Sequence, residues 1–386
     1  MRQEHGAGVP QVQCVVSADS FPATGPRATS ASDNQTSPRD ALPMASQPSS
    51  KTSSSWLSDG RADALRSEGF TERQAAFLVA VMLHGGVCMV RQYCAFAGIA
   101  HGHNAREFFA RLVQRRIATP YAALHARARL YHIHHRRLYT AIGEPDSRFR
   151  KPLPAGRAME RLMILDAILD QPAIRWLATE GDKWAHFIRT FGTTLTVEWL
   201  PQLRFGKPPR LTVRYFPDRQ PIGIVKAGEA YTFLYLATKP STVDLHAFLQ
   251  RHAELLRTMP RWTVRVLLPP HLFKAQESYL KAMRMELGTR MAPHMADEFR
   301  WWCRAHKAGA QSRPTADADR WARASRGFAS PRYRALYQSW CMLGDYVIDS
   351  AVSPILADAM ERGTGRIECE VLTRPYLHLS TLVGTA

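Results

Sequence analysis

Apolar residues first settle into a helical rhythm at Phe70. Thr71 precedes Glu72-Arg73-Gln74, which makes Thr71 an N-cap, places Gln74 at the reciprocal capping position and gives Phe70 the staple position. Ala75, Leu78, Val79 and Met82 then recur at helical spacing until Gly85-Gly86 stops the run. A second short helix is predicted over 89–97 and closes at Gly98. A third starts at Asn104 with Glu107 at its N3 position. It carries Phe108, Phe109, Leu112, Val113 and Ile117 on one side and Arg106, Arg111, Gln114 and Arg115 on the other. Two strand-like pieces, 121–126 and 129–135, follow across a basic turn. Three helices and then a basic hairpin is the order of a winged helix-turn-helix.

Between 153 and 191 the pattern predicts helices. The segment 159–169 has an apolar stripe (Leu162, Ile164, Leu165, Ile168, Leu169) that Pro172 breaks. Residues 174–179 and 183–191 continue it, with Asp182 as the last N-cap. From Thr193 the texture turns β-branched and aromatic. Strands are expected at 194–200, 211–216, 222–226 and 231–237, a helix over 243–259, a strand over 262–268 and a helix over 274–287. Strand, helix, strand argues for a βαβ unit with parallel pairing. The remainder to Met360 reads as helical, and 366–372 as a final strand. The fold class is therefore α+β. It has a winged helix-turn-helix at 56–150, a helical connector at 151–192 and a mixed α/β domain with a helical C-terminal part at 193–386. Residues 1–55, rich in Ser, Pro, Ala, Thr and Gln with Phe21 as their only aromatic, are expected to be a disordered tail.

Charge changes the picture. Residues 106–157 hold twelve Lys and Arg against Glu107, Glu144 and Asp146. That is half of the chain's net +18. Four His and three Tyr are interleaved with them. A field of this density attracts a polyanion and holds it through counterion release. No apolar run approaches the ~18 residues that a membrane span needs. No signal segment opens the chain. Six Cys in 386 residues are read as reduced thiols rather than a disulfide framework, so a cytoplasmic location is expected.

The expected partner is double-stranded DNA, with no membrane. The predicted third helix would present His101, His103, Asn104, Arg106, Arg111 and Arg115 to the major groove. A wing near 126–130 would lay Arg127 and Arg129 along phosphates, and Arg136, Arg137, Arg148 and Arg150 would extend the footprint. His132 and His134, on one strand face, suit phosphate contacts or simple exposure. No zinc-ligand spacing is met, so no metal or other cofactor is expected. The C-terminal domain is expected to supply a homodimer contact or to bind a protein partner.

Enzyme activity is not expected, although one arrangement raises it. Strand, strand, helix, strand over 211–270 is the order of a PD-(D/E)xK nuclease core. Asp218 can supply its first acid, but 231–239 (YTFLYLATK) has no second one. Glu229 and Lys239 are the nearest substitutes. The core therefore reads as a degenerate one. A metal-dependent nuclease and a non-catalytic adaptor are the alternative functions. Cys303, among Trp301, Trp302, Arg304 and His306, reads as a buried thiol in an aromatic core. The run from Arg320 to Arg334 reads equally as a second nucleic-acid patch or as a solvated helix face.

The phrases Thr71-Glu72-Arg73-Gln74, FFARLVQRRIATPY and ARLYHIHHRRLYTAIG resemble the replication-relaxation group of winged-helix proteins of plasmids and integrative elements. In that group the third helix has a similar basic ending, and a strand leads into a short helix closing on Gly, as Gly143 does here. The resemblance covers 70–145, and more loosely 210–270. It implies a bacterial mobile-element protein that acts through DNA in replication, transfer or transcription control. It also implies a nuclease-like second domain, from whose central strand the usual acid is missing here.

Overall fold

The computed structural model describes residues 14–15, 60–121, 129–206, 210, 212–225, 229–309, 317–352, 359, 362–374 and 376. Cys14–Val15 forms the short strand β1. Helix α1 (Arg61–Ser67) packs on α2 (Glu72–His84). The capping box at α2 forms as the sequence requires: Thr71 Oγ1 accepts from the Gln74 N–H, and Gln74 Oε1 from the Thr71 N–H. At its other end the N–H groups of Gly85 and Gly86 both donate to the Val81 carbonyl. Gly86 sits at φ 70°, which frees the chain to reverse into β2 (Val87–Met89).

Helices α3 (Val90–Ala97) and α4 (His103–Gln114) follow, joined through Gly98 in the left-handed region. Then come β3 (Ala118–Pro120), β4 (Leu130–Ile133) and α5 (Arg136–Ala141). The three strands make an antiparallel sheet in the order β2-β4-β3, with Cys88 opposite Tyr131 and Ala118 opposite Ile133. Strand alternation sends Cys88, Tyr131 and Ile133 into the core shared with α2 and α4. Val87, Met89 and Leu130 face the other way, onto α6 (Ala155–Leu169).

That second face is why α6 is apolar on more than one side. Leu165 joins the core of α2 and α4. Ala158, Leu162, Met163, Ile164, Ala167 and Ile168 pack in a second cluster with Leu234, Leu236 and Leu267. Those three leucines belong to a six-stranded sheet of order β1-β11-β10-β9-β8-β5. Its strands are β5 (Arg175–Leu177), β8 (Ile222–Val225), β9 (Ala230–Leu236), β10 (Trp262–Leu268) and β11 (Gly365–Val371), with β1 at one edge. β9, β10 and β11 run parallel, and α8 (Val243–Thr258) makes the crossover between β9 and β10. The sheet's other face is covered by α7 (Glu180–Phe191), α8 and α9 (Gln276–Gly288). Central β9 is buried on both faces, which explains its unbroken apolar run. A two-stranded ribbon of β6 (Gln202–Phe205) and β7 (Thr212–Tyr215) lies between α7 and β8 in sequence. Helices α10 (Pro293–Ala308), α11 (Ala318–Gly327), α12 (Pro331–Leu343) and α13 (Tyr346–Val352) form a separate aromatic core around Phe299 and Trp302. The fold is mixed α+β.

Five local expectations are corrected. Cys14–Val15, inside the stretch expected to be a disordered tail, is a strand because it pairs antiparallel with β11; the rest of 1–55 lies outside the described residues. Residues 175–177 are an edge strand, not helix, because they pair with β8. Residues 197–199 form a 3-10 turn rather than a strand. The N-cap of α7 is Thr179, with Asp182 as its capping-box partner. The strand pairing with β4 lies at 118–120, ahead of the expected 121–126, of which only Tyr121 is described.

Candidate nucleic-acid interface

Helix α4 is amphipathic, and its buried side fixes its setting. Phe108 and Phe109 stack against Tyr93 of α3 and Tyr131 of β4, with ring centroids 4.6 and 4.5 Å apart for the closest pairs. Ala105 and Leu112 complete that side. His103, Asn104, Arg106, Glu107, Ala110, Arg111 and Gln114 are left exposed on the other. His101 is exposed in the turn before the helix. Glu107 lies 3.7 Å from His103 Nε2 and 3.9 Å from Arg111 Nη1. Such exposed contacts one turn apart contribute only about 0.3–0.5 kcal/mol each, so these side chains are not committed to holding the fold.

The other expected contact residues divide. Arg129 and Arg136 are exposed. Arg115 turns back: its Nη2 donates to the Glu68 carbonyl at 3.1 Å, and its guanidinium lies over the Phe70 ring. Arg137 pairs with the Glu68 carboxylate at 3.0 Å. Arg115 and Arg137 thus converge on one residue at the end of α1, the first on the Glu68 backbone carbonyl and the second on its carboxylate. Arg148 sits over Phe149, while Arg150 donates to the Pro145 carbonyl at 2.5 Å and is half-buried. Arg150 is therefore a structural residue more than a surface one. Arg127 lies outside the described residues. His132 is buried and donates to the Phe149 carbonyl at 2.9 Å, and burial lowers its pKa. His134 shares a hydrogen bond of 2.8 Å with Thr119. Neither histidine is an open phosphate ligand.

Sequence reasoning missed what holds α3 in place. Asp166 of α6, 4% exposed, accepts both Arg91 guanidinium nitrogens (2.9 and 2.7 Å) and Gln92 Nε2 (2.9 Å) from the first turn of α3. It also accepts the Tyr376 hydroxyl at 2.5 Å and pairs with Arg374 at 2.9 Å. Burial works against its charge, but the Arg91 hydrogen bonds outweigh that and hold the Asp166 carboxyl below the usual carboxylate range. The signal was available in the sequence. A lone acid inside the apolar run LMILDAIL has to find cationic partners.

The chain matches no protein-family model, no curated protein and no solved structure. Its site must therefore be read from its own geometry.

In the second half, Asp218 forms a bidentate pair with Arg251, and Lys239 lies 3.7 Å from Asp244. Asp218 and Lys239 are thus engaged by different partners, and Glu229 is exposed. Beside Asp218, Lys183 is buried and donates to the Gln220 carbonyl at 2.6 Å; burial lowers its pKa to about 8. A cavity of about 310 Å³ lies elsewhere, bordered by Trp199, Arg204, Gln250, Glu286, Arg332 and Tyr346. Its Glu286 already binds His246 and Arg332. Cys303 is buried, which pushes its thiol up to about 12. The Arg320–Arg334 run is divided. Arg320 binds Glu298 and Arg332 is buried against Glu286, while Arg323, Arg326 and Arg334 stay exposed. Among the described residues, no helix is long and apolar enough to cross a membrane.

Proposed function

We propose that the chain binds double-stranded DNA through a winged helix-turn-helix. In this reading α3 and α4 are the helix-turn-helix pair and α4 enters the major groove; of the expected wing at 126–130 only Arg129 and Leu130 lie among the described residues. The observation that carries it is the order α2-β2-α3-α4-β3-β4, with β4 in the middle of its sheet and the polar side of α4 left open. The cation excess over 106–157 supports it. So does the resemblance to the replication-relaxation group, from which a role in the replication, transfer or transcription control of a mobile element is inferred. Asp218 gives its carboxylate to Arg251, so the nuclease alternative is not adopted.

The test is fluorescence anisotropy of a labelled duplex across a salt titration. Binding should weaken steeply with salt. Arg106→Ala with Arg111→Ala should reduce affinity about ten-fold or more, at roughly 1 kcal/mol or more per lost contact. Salt-independent binding, or a double variant that binds as well as the parent, would overturn the reading.

A further inference from the structure

A carboxylate occupies the middle of the one helix face that should meet a polyanion. At about 3.6 residues per turn, the exposed residues of α4 succeed one another around the helix as Arg106, Ala110, His103, Gln114, Glu107, Arg111 and Asn104. Arg106 and Asn104 form the edges of that arc, and Glu107 lies within it. Ala110 is short and leaves room for close approach. The Glu107 oxygens stand 3.7 and 3.9 Å from His103 and Arg111, beyond hydrogen-bonding distance, so their lone pairs are open to a donor.

Phosphates repel such a group, and base edges need not. In the major groove, amino donors come from cytosine N4 and adenine N6, and adenine adds the N7 acceptor beside its donor. A carboxylate only accepts, so N7 opposes it on adenine while nothing opposes it on cytosine. Arg111, one turn further on, is a donor fork matched to O6 and N7 of guanine.

We propose that Glu107 is a specificity-determining residue that accepts from cytosine N4, with Arg111 on a guanine of the same or the adjacent pair, so that the preferred duplex carries a C·G pair beneath the middle of α4. This rests on the DNA-binding reading above.

The experiment selects binding sites from a randomised duplex pool with the full chain, with Glu107→Gln and with Glu107→Ala, and then measures affinities for the selected duplex and for single-position changes. The parent should select one cytosine that contributes about ten-fold. Glu107→Gln should move that position toward adenine, because an amide both donates and accepts. Glu107→Ala should lose the preference there and bind random duplex more tightly than the parent. If all three proteins select the same site, or if both variants tighten on every sequence without a change of preference, the assignment is overturned and the DNA-binding reading stands. If the parent shows no salt-sensitive binding to any duplex, both fall together.

Discussion

At the scale of single residues, Asp166 decides more than any member of the exposed arc. It binds Arg91 and Gln92 of α3 and, from the far end of the chain, Arg374 and Tyr376. Gln92 also accepts the Met89 N–H and donates to the Leu162 carbonyl, so the start of α3 is fixed by two buried side chains. Removing one partner of a buried pair costs about 3–5 kcal/mol, mainly because the other charge is left without compensation. Asp166→Ala should therefore lower the unfolding free energy by about 3 kcal/mol or more in urea. Arg91→Ala should cost less, since Arg91 is a third exposed and Arg374 remains. An Asp166→Ala loss below about 1 kcal/mol would mean that the cluster is not load-sharing as described. The acid was visible in the sequence, but its partners were not: Arg91 and Tyr376 lie 75 and 210 positions away.

At the scale of elements, what could be read locally was read well. The capping box and stripe of α2, the stripe of α8 and the alternation of β10 each depend on residues a few positions apart. Elements whose identity comes from a distant partner were misread. Arg175-Trp176-Leu177 is a strand only because β8 runs beside it, with Gly223 opposite Trp176. The exposed face of α4 followed from periodicity, whereas the commitment of Arg115 and Arg137 to Glu68 did not. The turn between α2 and β2 offers a test at this scale. Gly86 and Gly98 both have positive φ. A Cβ at Gly86 would lie 2.5 Å from the Phe149 carbonyl oxygen, while at Gly98 it would meet nothing within 4 Å. Gly98→Ala should cost about 1–2 kcal/mol for the backbone conformation alone. Gly86→Ala should cost clearly more, because the small sheet and the turn at 148–150 must separate to admit the methyl group. Equal shifts in urea midpoint for the two variants would remove the close approach from the account.

At the scale of the whole molecule, α6 and the six-stranded sheet tie the α2–β4 unit to the rest, and buried histidines are distributed across both parts. His84 and His132 lie on the N-terminal side, and His186 and His252 on the far side of the sheet. Burial is the main cause that lowers all four, His84 to about 3 and His186 and His252 to about 4. His252 donates to the Phe248 carbonyl at 2.8 Å, which favours its charged form, but burial outweighs that and keeps it neutral. Each folded value is below the unfolded one of about 6.5, so the folded chain binds fewer protons than the unfolded chain as pH falls. Their contribution is complete above about pH 6.5–7 and is lost progressively below it, until the folded values are reached. The depressed carboxylates Asp166 and Asp182 act in a different window. Their contribution persists above the ordinary carboxylate value of about 3.9 and is lost only as pH falls below it. Between pH 7.5 and 5 the histidines should therefore dominate, with His84, His186 and His252 at about 1–2 kcal/mol each by pH 5. Urea unfolding at several pH values should show stability falling through this interval. His252→Gln should flatten the slope. A profile that stays level from pH 7.5 to 5 would mean that these imidazoles take up protons in the folded chain, and would contradict their burial.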